Sequence, residues 1–132
     1  MTKGDLYRAR DRLREVTQLR ERLDTMEGGI YSPRGQQLSR TPRGGGKGRT
    51  MEDIVEAHGK LQDRYYRQLR ELLQLQLEIE QACIPLPPME RMVIRARYIE
   101  GKPWDVVAKD IGYEAAQTHR FHSNALRLLA TV

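Results

Sequence analysis

The sequence predicts an all-α protein, and three observations carry that expectation. Apolar residues recur at three- and four-residue steps over two long stretches, 5–27 and 51–82, which is the period of a helix with one buried face and not the alternation of a strand. Glycine and proline gather into short runs between the periodic stretches, where they punctuate helices. Charged residues make up 31% of the 132-residue chain and aromatics only 6%, so the core is thin and long solvated helices fit better than a sandwich or a doubly wound sheet. The expected architecture is an N-terminal helical hairpin or coiled-coil arm over 1–84, interrupted by a disordered basic loop at 28–50, and then a helix-turn-helix domain over 85–132.

The first helix is expected from Asp5 to Glu27. Leu6, Ala9, Leu13, Val16 and Leu23 form its seam, Leu19 and Met26 widen it, and Arg20 interrupts it. Between them Arg alternates with Asp and Glu, the pattern of a solvated face. From Gly28 to Thr50 the periodicity collapses into prolines, glycines and the cations Arg34, Arg40, Arg43, Lys47 and Arg49, with no acid among them. Their charge equals the net +5 of the whole chain. Such an arm can lie along phosphates without reading sequence, with Arg40, Arg43 and Lys47 as the contacts; a loop kept soluble by its charge is an equal alternative. The run GGGKGRT is not a phosphate-binding loop, because Thr41 stands where the motif needs its first glycine and Gly48 follows Lys47 in place of Ser or Thr.

From Met51 to Ala82 a second long helix carries Ile54, His58, Leu61, Tyr65, Leu72, Leu75, Ile79 and Ala82 on one seam, with Gln68 as its only break. A seam this regular calls for packing against the first helix or against another copy of the chain, which would make a homodimer. His58 reads as a polar residue fixing register. The run IPLPP, Ile84 to Pro88, ends the helix and is expected to act as a stiff hinge between two modules. A shorter helix follows from Met89 to Glu100, with Met92, Val93, Ala96 and Ile99 inward and Arg91, Arg95 and Arg97 outward; Gly101 closes it and Pro103 opens the next.

The stretch Trp104 to Leu129 has the spacing of a helix-turn-helix. Val107, Ala108 and Ile111 form one stripe, Gly112 supplies the turn, and Thr118, Phe121, Ala125 and Leu128 or Leu129 form the second stripe. Ala108 is the small residue that lets the second helix cross closely. Facing outward are Ala116, His119, Arg120, Ser123 and Arg127, flanked by Gln117 and Asn124. Arg120 is the first candidate for contact with base edges in the major groove, since a guanidinium can donate twice to guanine; Gln117 can pair similarly with adenine. His119 and Ala116 complete the candidate base-reading set, while Ser123 and Arg127 are candidates for phosphate.

Other chemistry finds little support. His119 and His122 have a metal-compatible spacing, but no acid or thiolate shares their face, and no nucleophile or paired carboxylates stand in a catalytic setting. No enzyme, cofactor or metal site is expected. Trp104 reads as a lid over the helix-turn-helix. Cys83 is the only cysteine, and no apolar run suits a signal peptide or a membrane span, so a cytoplasmic protein with no membrane partner is expected.

With these residues in view, Leu86 to Leu129 resembles the promoter-reading C-terminal domain of sigma-70 type factors, through the ER-x-VI-x-x-RYIEG run, the AKDIGY turn and the closing NALRLL. With a charged coil and a basic, SP-containing linker in front, the whole layout is similar to the small phage regulators of the ArpU and RinA type, sigma-like proteins of late gene expression. The resemblance implies that the helix starting near Glu114 enters the major groove. It also implies that the Met89 to Glu100 helix and the start of the Trp104 helix touch flanking phosphates, with Arg95, Arg97, Lys102 and Lys109 as contacts. Glu114 departs from the Ser or Thr that usually caps such a helix, and Ala115 and Ala116 replace polar readers.

The expected function is sequence-specific binding of double-stranded phage or prophage DNA by a transcription regulator, a sigma-like activator acting with host RNA polymerase in the bacterial cytoplasm. Two alternatives stand beside it: the small subunit of a phage packaging terminase, and a structural coiled-coil protein. The first usually carries its helix-turn-helix at the N-terminus, whereas here it lies at the other end.

Overall fold

The computed structural model describes residues 1–31 and 50–131, the side chains of 29–31 excepted. The chain is all-α, with no strand among the described residues. It comprises α1 (Lys3–Tyr31), α2 (Met51–Cys83), α3 (Pro88–Ile94) continued by one π-helical stretch (Arg95–Ile99), α4 (Trp104–Ile111) and α5 (Ala115–Leu129). None of these helices is long and apolar enough to cross a membrane.

Both long helices start on a Thr-x-x-Asp box. Thr2 Oγ1 accepts from the Asp5 amide at 3.2 Å while Asp5 Oδ2 accepts from the Thr2 amide at 3.0 Å, and Thr50 and Asp53 repeat the exchange at 3.1 and 3.3 Å. Each box satisfies amides that have no partner inside the helix. The Thr2 hydrogen bonds hold the Asp5 carboxyl below its ordinary range. At its other end α1 runs through Gly28 to Tyr31, past the boundary expected at Glu27. Gly28 keeps a right-handed backbone, and a glycine in that conformation weakens a helix without ending it. The rest of the expected basic loop, with Arg40, Arg43 and Lys47, lies outside the described residues.

The chain divides into two compact units, and the division is not the one expected at residue 84. One unit is Glu15–Leu69, the distal parts of α1 and α2. There the helices pair antiparallel: Arg64 meets Glu15 at 3.6 Å, Arg20 donates to the Tyr65 hydroxyl at 3.2 Å, and His58 Nε2 lies 3.3 Å from Glu27 Oε1. Val16, Leu19, Leu23, His58 and Tyr65 are buried. The helical hairpin was one of two arrangements open to these seams. Arg20 itself is exposed, and its place on the seam is taken by Leu19.

The other unit joins Met1–Arg14 to Arg70–Val132. Its core brings Leu6 and Ala9 of α1 and Ile79 and Cys83 of α2 together with Leu86, Ile94, Tyr98, Ala125 and Leu129. The start of the arm is therefore half of the C-terminal core, and a boundary at residue 84 would cut through it. The proline run is a corner inside this unit, not a hinge between modules. Leu86 is buried and its amide donates to the Cys83 carbonyl at 3.0 Å, so the corner is pinned on both counts. Pro88 then sits at the first position of α3, where a missing amide proton costs nothing.

The inward face of α3 is also displaced from expectation. Glu90, Val93, Ile94, Ala96 and Tyr98 are buried, while Met92 is exposed. Glu90, Ile94 and Tyr98 lie four residues apart, a helical face as regular as the one through Val93 and Ala96, and beyond Ile94 the turn widens as the Glu100 amide reaches back five residues to the Arg95 carbonyl at 3.0 Å. Gly101 then reverses the chain at φ 72°, and the Lys102 amide closes the turn on the Ala96 carbonyl at 3.0 Å.

Candidate nucleic-acid interface

The helix pair α4–α5 is set by the turn between them. Gly112 adopts φ 79°, its amide donates to the Ala108 and Lys109 carbonyls at 3.0 and 3.3 Å, and the Tyr113 amide returns to Ala108 at 3.1 Å. This is a left-handed helix stop that a residue with a Cβ takes only under strain. Glu114, extended at φ −73° and ψ 164°, starts α5 with no side-chain cap. The Thr118 hydroxyl turns back onto the Glu114 carbonyl at 2.9 Å instead.

Two apolar stripes hold the pair together. Val107, Ala108 and Ile111 are buried on α4, and Val107 and Ile111 form a cluster with Val93 and Ala96 on which Met89, Trp104 and Phe121 pack. On α5 the buried residues are Thr118, His122, Ala125 and Leu129. His122 occupies the fully buried place that the sequence assigned to Phe121, and Phe121 lies half-buried with its ring 5.1 Å from Tyr113 in an edge contact. Steps of 4, 3 and 4 through 118, 122, 125 and 129 are as helical as the steps through 121. Nothing in spacing alone favours the histidine.

His122 belongs to a polar and aromatic cluster that sequence reasoning missed. Its Nε2 is 2.6 Å from the Tyr98 hydroxyl, and its ring lies 4.7 Å from that of Trp104 in an edge contact. Burial lowers the His122 pKa to about 4 and raises that of Tyr98 to about 12. At neutral pH the imidazole is therefore uncharged and the phenol protonated, and the Tyr98 hydroxyl donates to Nε2 in the tautomer that keeps its proton on Nδ1, or accepts from Nε2 in the other. The second histidine of the pair, His119, rests on Trp104 at 4.5 Å, and the Arg97 guanidinium covers the same indole at 4.7 Å. Trp104 is a lid, and it is itself covered.

The candidate contact residues fall into two groups. Ala116, Arg120, Ser123 and Arg127 are exposed along one side of α5, as the helical spacing implied, and Gln117 is half-buried beside them. Arg120 donates to Gln117 Oε1 at 3.4 Å, so two candidate readers are already aligned with each other. Arg127 donates to Asn124, whose amide in turn donates to buried Glu90 at 3.2 Å. Lys109 is exposed in the last turn of α4 and forms no salt bridge among the described residues.

The second group is engaged inside the chain. Arg95 makes a two-pronged pair with Glu80 at 3.1 and 3.0 Å, which raises its pKa. Lys102 sits between Asp110 at 2.7 Å and Glu100 at 3.4 Å. Arg97 donates to the Lys102 carbonyl at 3.0 Å and lies over Trp104; burial, with Arg10 nearby, lowers its pKa. His119 is held by the indole. Expected outward cations thus include three that neighbouring carboxylates, a carbonyl or a ring have taken, because each lies at the edge of a packed helix contact.

No family model, curated protein or solved structure matches the chain.

Proposed function

We propose that the protein binds double-stranded DNA by seating the outward side of α5 in the major groove, as a sigma-like regulator of phage or prophage late transcription that acts with host RNA polymerase in the bacterial cytoplasm. The observation that carries this reading is the α4–Gly112–α5 unit, whose buried stripes leave Ala116, Arg120, Ser123 and Arg127 clear of the core. Alanines at 115 and 116 keep the first turn of α5 slim, so its backbone can approach the groove floor. Arg120, steadied by Gln117, is the reader: a guanidinium donating to guanine O6 and N7 contributes about 1–3 kcal/mol of discrimination. Lys109 and Arg127 stand at the margins as partners for phosphate. Arg95, Arg97 and Lys102 support the domain from within.

The test is selection of duplexes from a random-sequence library with the full chain, then transcription by host polymerase from a template bearing the selected site. A defined site, higher transcript yield and loss of preference at one or two base pairs in Arg120→Ala are expected. Equal binding to all duplexes with unchanged transcription would overturn the reading.

A further inference from the structure

The start of α1 presents a second basic surface, apart from the outward side of α5. Lys3, Tyr7, Arg10 and Arg14 follow at steps of four, three and four, so they share one stripe of the helix. Lys3, Tyr7 and Arg14 are exposed and Arg10 is half-buried. The stripe is fastened to the C-terminal helices. Leu6 and Ala9, on the neighbouring face, are buried in the same core cluster as Tyr98, and the Tyr7 ring lies 6.2 Å from that of Tyr98. Lys3 Nζ rests 5.4 Å from the centre of the Tyr7 ring. This docking brings Arg10 and Arg14 up to Arg97, and after burial it is their charges that lower the Arg97 pKa. None of these four cations pairs with a carboxylate among the described residues. Asp11 stands between the two α1 arginines in sequence, but roughly 60–100° round the helix from them. Like charges four residues apart weaken a helix, and a third one beside them weakens the packing, so stability does not account for the row.

We infer that Lys3, Arg10 and Arg14 hold the phosphate backbone of the duplex whose groove α5 enters, a role that rests on α5 meeting DNA as proposed. The surface is continuous with α5. His119, on the outward side of that helix, rests on Trp104, and Arg97 covers the same indole next to Arg10. From residue 3 to residue 14 the row is about 16 Å long, against roughly 3.4 Å of duplex axis for each phosphate of one strand, so it can follow one strand past several phosphates. Guanidinium and ammonium groups donate well to phosphate oxygens, and the exposed Tyr7 adds a hydroxyl to the row. No aliphatic side chain stands in the stripe, so it offers a polyanion charge and offers a protein partner little to bury. Contacts of this kind position the duplex without reading it.

Anisotropy of a labelled duplex bearing the selected site, titrated with the full chain at several salt concentrations, tests this. Arg10→Gln combined with Arg14→Gln should bind every duplex about tenfold or more weakly, with the salt slope reduced by about two and the order of preference among sequences kept. Its melting temperature should match or exceed the parent's, because two like charges beside Arg97 are gone. Arg10→Lys with Arg14→Lys should retain most of the affinity. Arg8→Gln with Arg22→Gln, an equal loss of charge from exposed places off the stripe, should retain nearly all of it. Trimming the base pairs that flank the site on one side should weaken the parent and leave the Arg10, Arg14 glutamine variant unaffected. A glutamine variant that binds duplex as tightly as the parent, as it would if the row served an acidic protein or a lipid surface, would overturn the inference and leave α5 as the reader. An equal loss in the Arg8, Arg22 control, or a glutamine variant melting well below the parent, would also overturn it. A parent chain that binds no duplex would overturn the inference and the reading of α5 together.

Discussion

Leu13 closes over Gly101: a Cβ at Gly101 would lie 2.7 Å from Leu13 Cδ2, and the glycine itself holds φ 72°. Conformation and space both demand glycine there. Gly101→Ala is expected to lower unfolding stability by on the order of 1–3 kcal/mol, as judged by urea denaturation. Gly112→Ala shares the positive φ but has open space around it, so its loss should be smaller. Equal losses would show that the Leu13 contact yields freely.

Residues 85–132, expressed alone, should not melt cooperatively. That segment lacks Leu6, Ala9, Ile79 and Cys83, four of the nine residues of the unit's larger core cluster. In the full chain Leu6→Ala should cost about 2–5 kcal/mol, the range for a large-to-small change at a fully buried site. A sharp thermal transition in the isolated segment would show that the N-terminal residues are dispensable.

Acid should weaken the fold through His122. Its pKa in the folded chain, about 4, lies below the ordinary 6.5, so between these values the unfolded chain binds a proton that the folded chain does not. Stability is full above pH 6.5 and declines as pH falls towards 4, by on the order of 2–3 kcal/mol. Melting temperature followed over that interval should drop more steeply in the parent chain than in His122→Gln. Identical slopes would place the titration elsewhere.

Lys109→Ala and Arg127→Ala should weaken binding to every duplex alike and each reduce the salt slope by about one. Arg95→Ala should leave DNA affinity unchanged and lower the melting temperature slightly, since it breaks a half-exposed pair with Glu80 worth about 1 kcal/mol or less. A DNA defect in Arg95→Ala that matched the one in Lys109→Ala would return Arg95 to the phosphate contacts.

Helix periods and the Gly112 stop were legible because each depends on residues close in sequence. The exposed side of α5 followed from the same spacing. What could not be seen depends on distance. Arg95 and Lys102 look like surface cations until Glu80 and Asp110 are brought beside them. Tyr98 was hidden because the face through Glu90, Ile94 and Tyr98 is as helical in spacing as the one through Met92, Val93, Ala96 and Ile99, and His122 by its equivalence to Phe121 under a three-or-four spacing rule. The Thr-x-x-Asp boxes at Thr2 and Thr50 could have been read directly from the sequence. The division of the arm could not, since nothing local indicates that Leu6 belongs with Leu129.

The meeting of Leu6 and Leu129 also governs when the protein can exist during its synthesis. The start of the first helix leaves the ribosome early, and Leu6 meets its last core partner, Leu129, only after more than a hundred further residues have been made. Helices α4 and α5 can pair locally as they emerge, but the core that carries them closes only once the chain has been made through Leu129. The last step of folding is thus a long-range docking, slower than any helix that it joins.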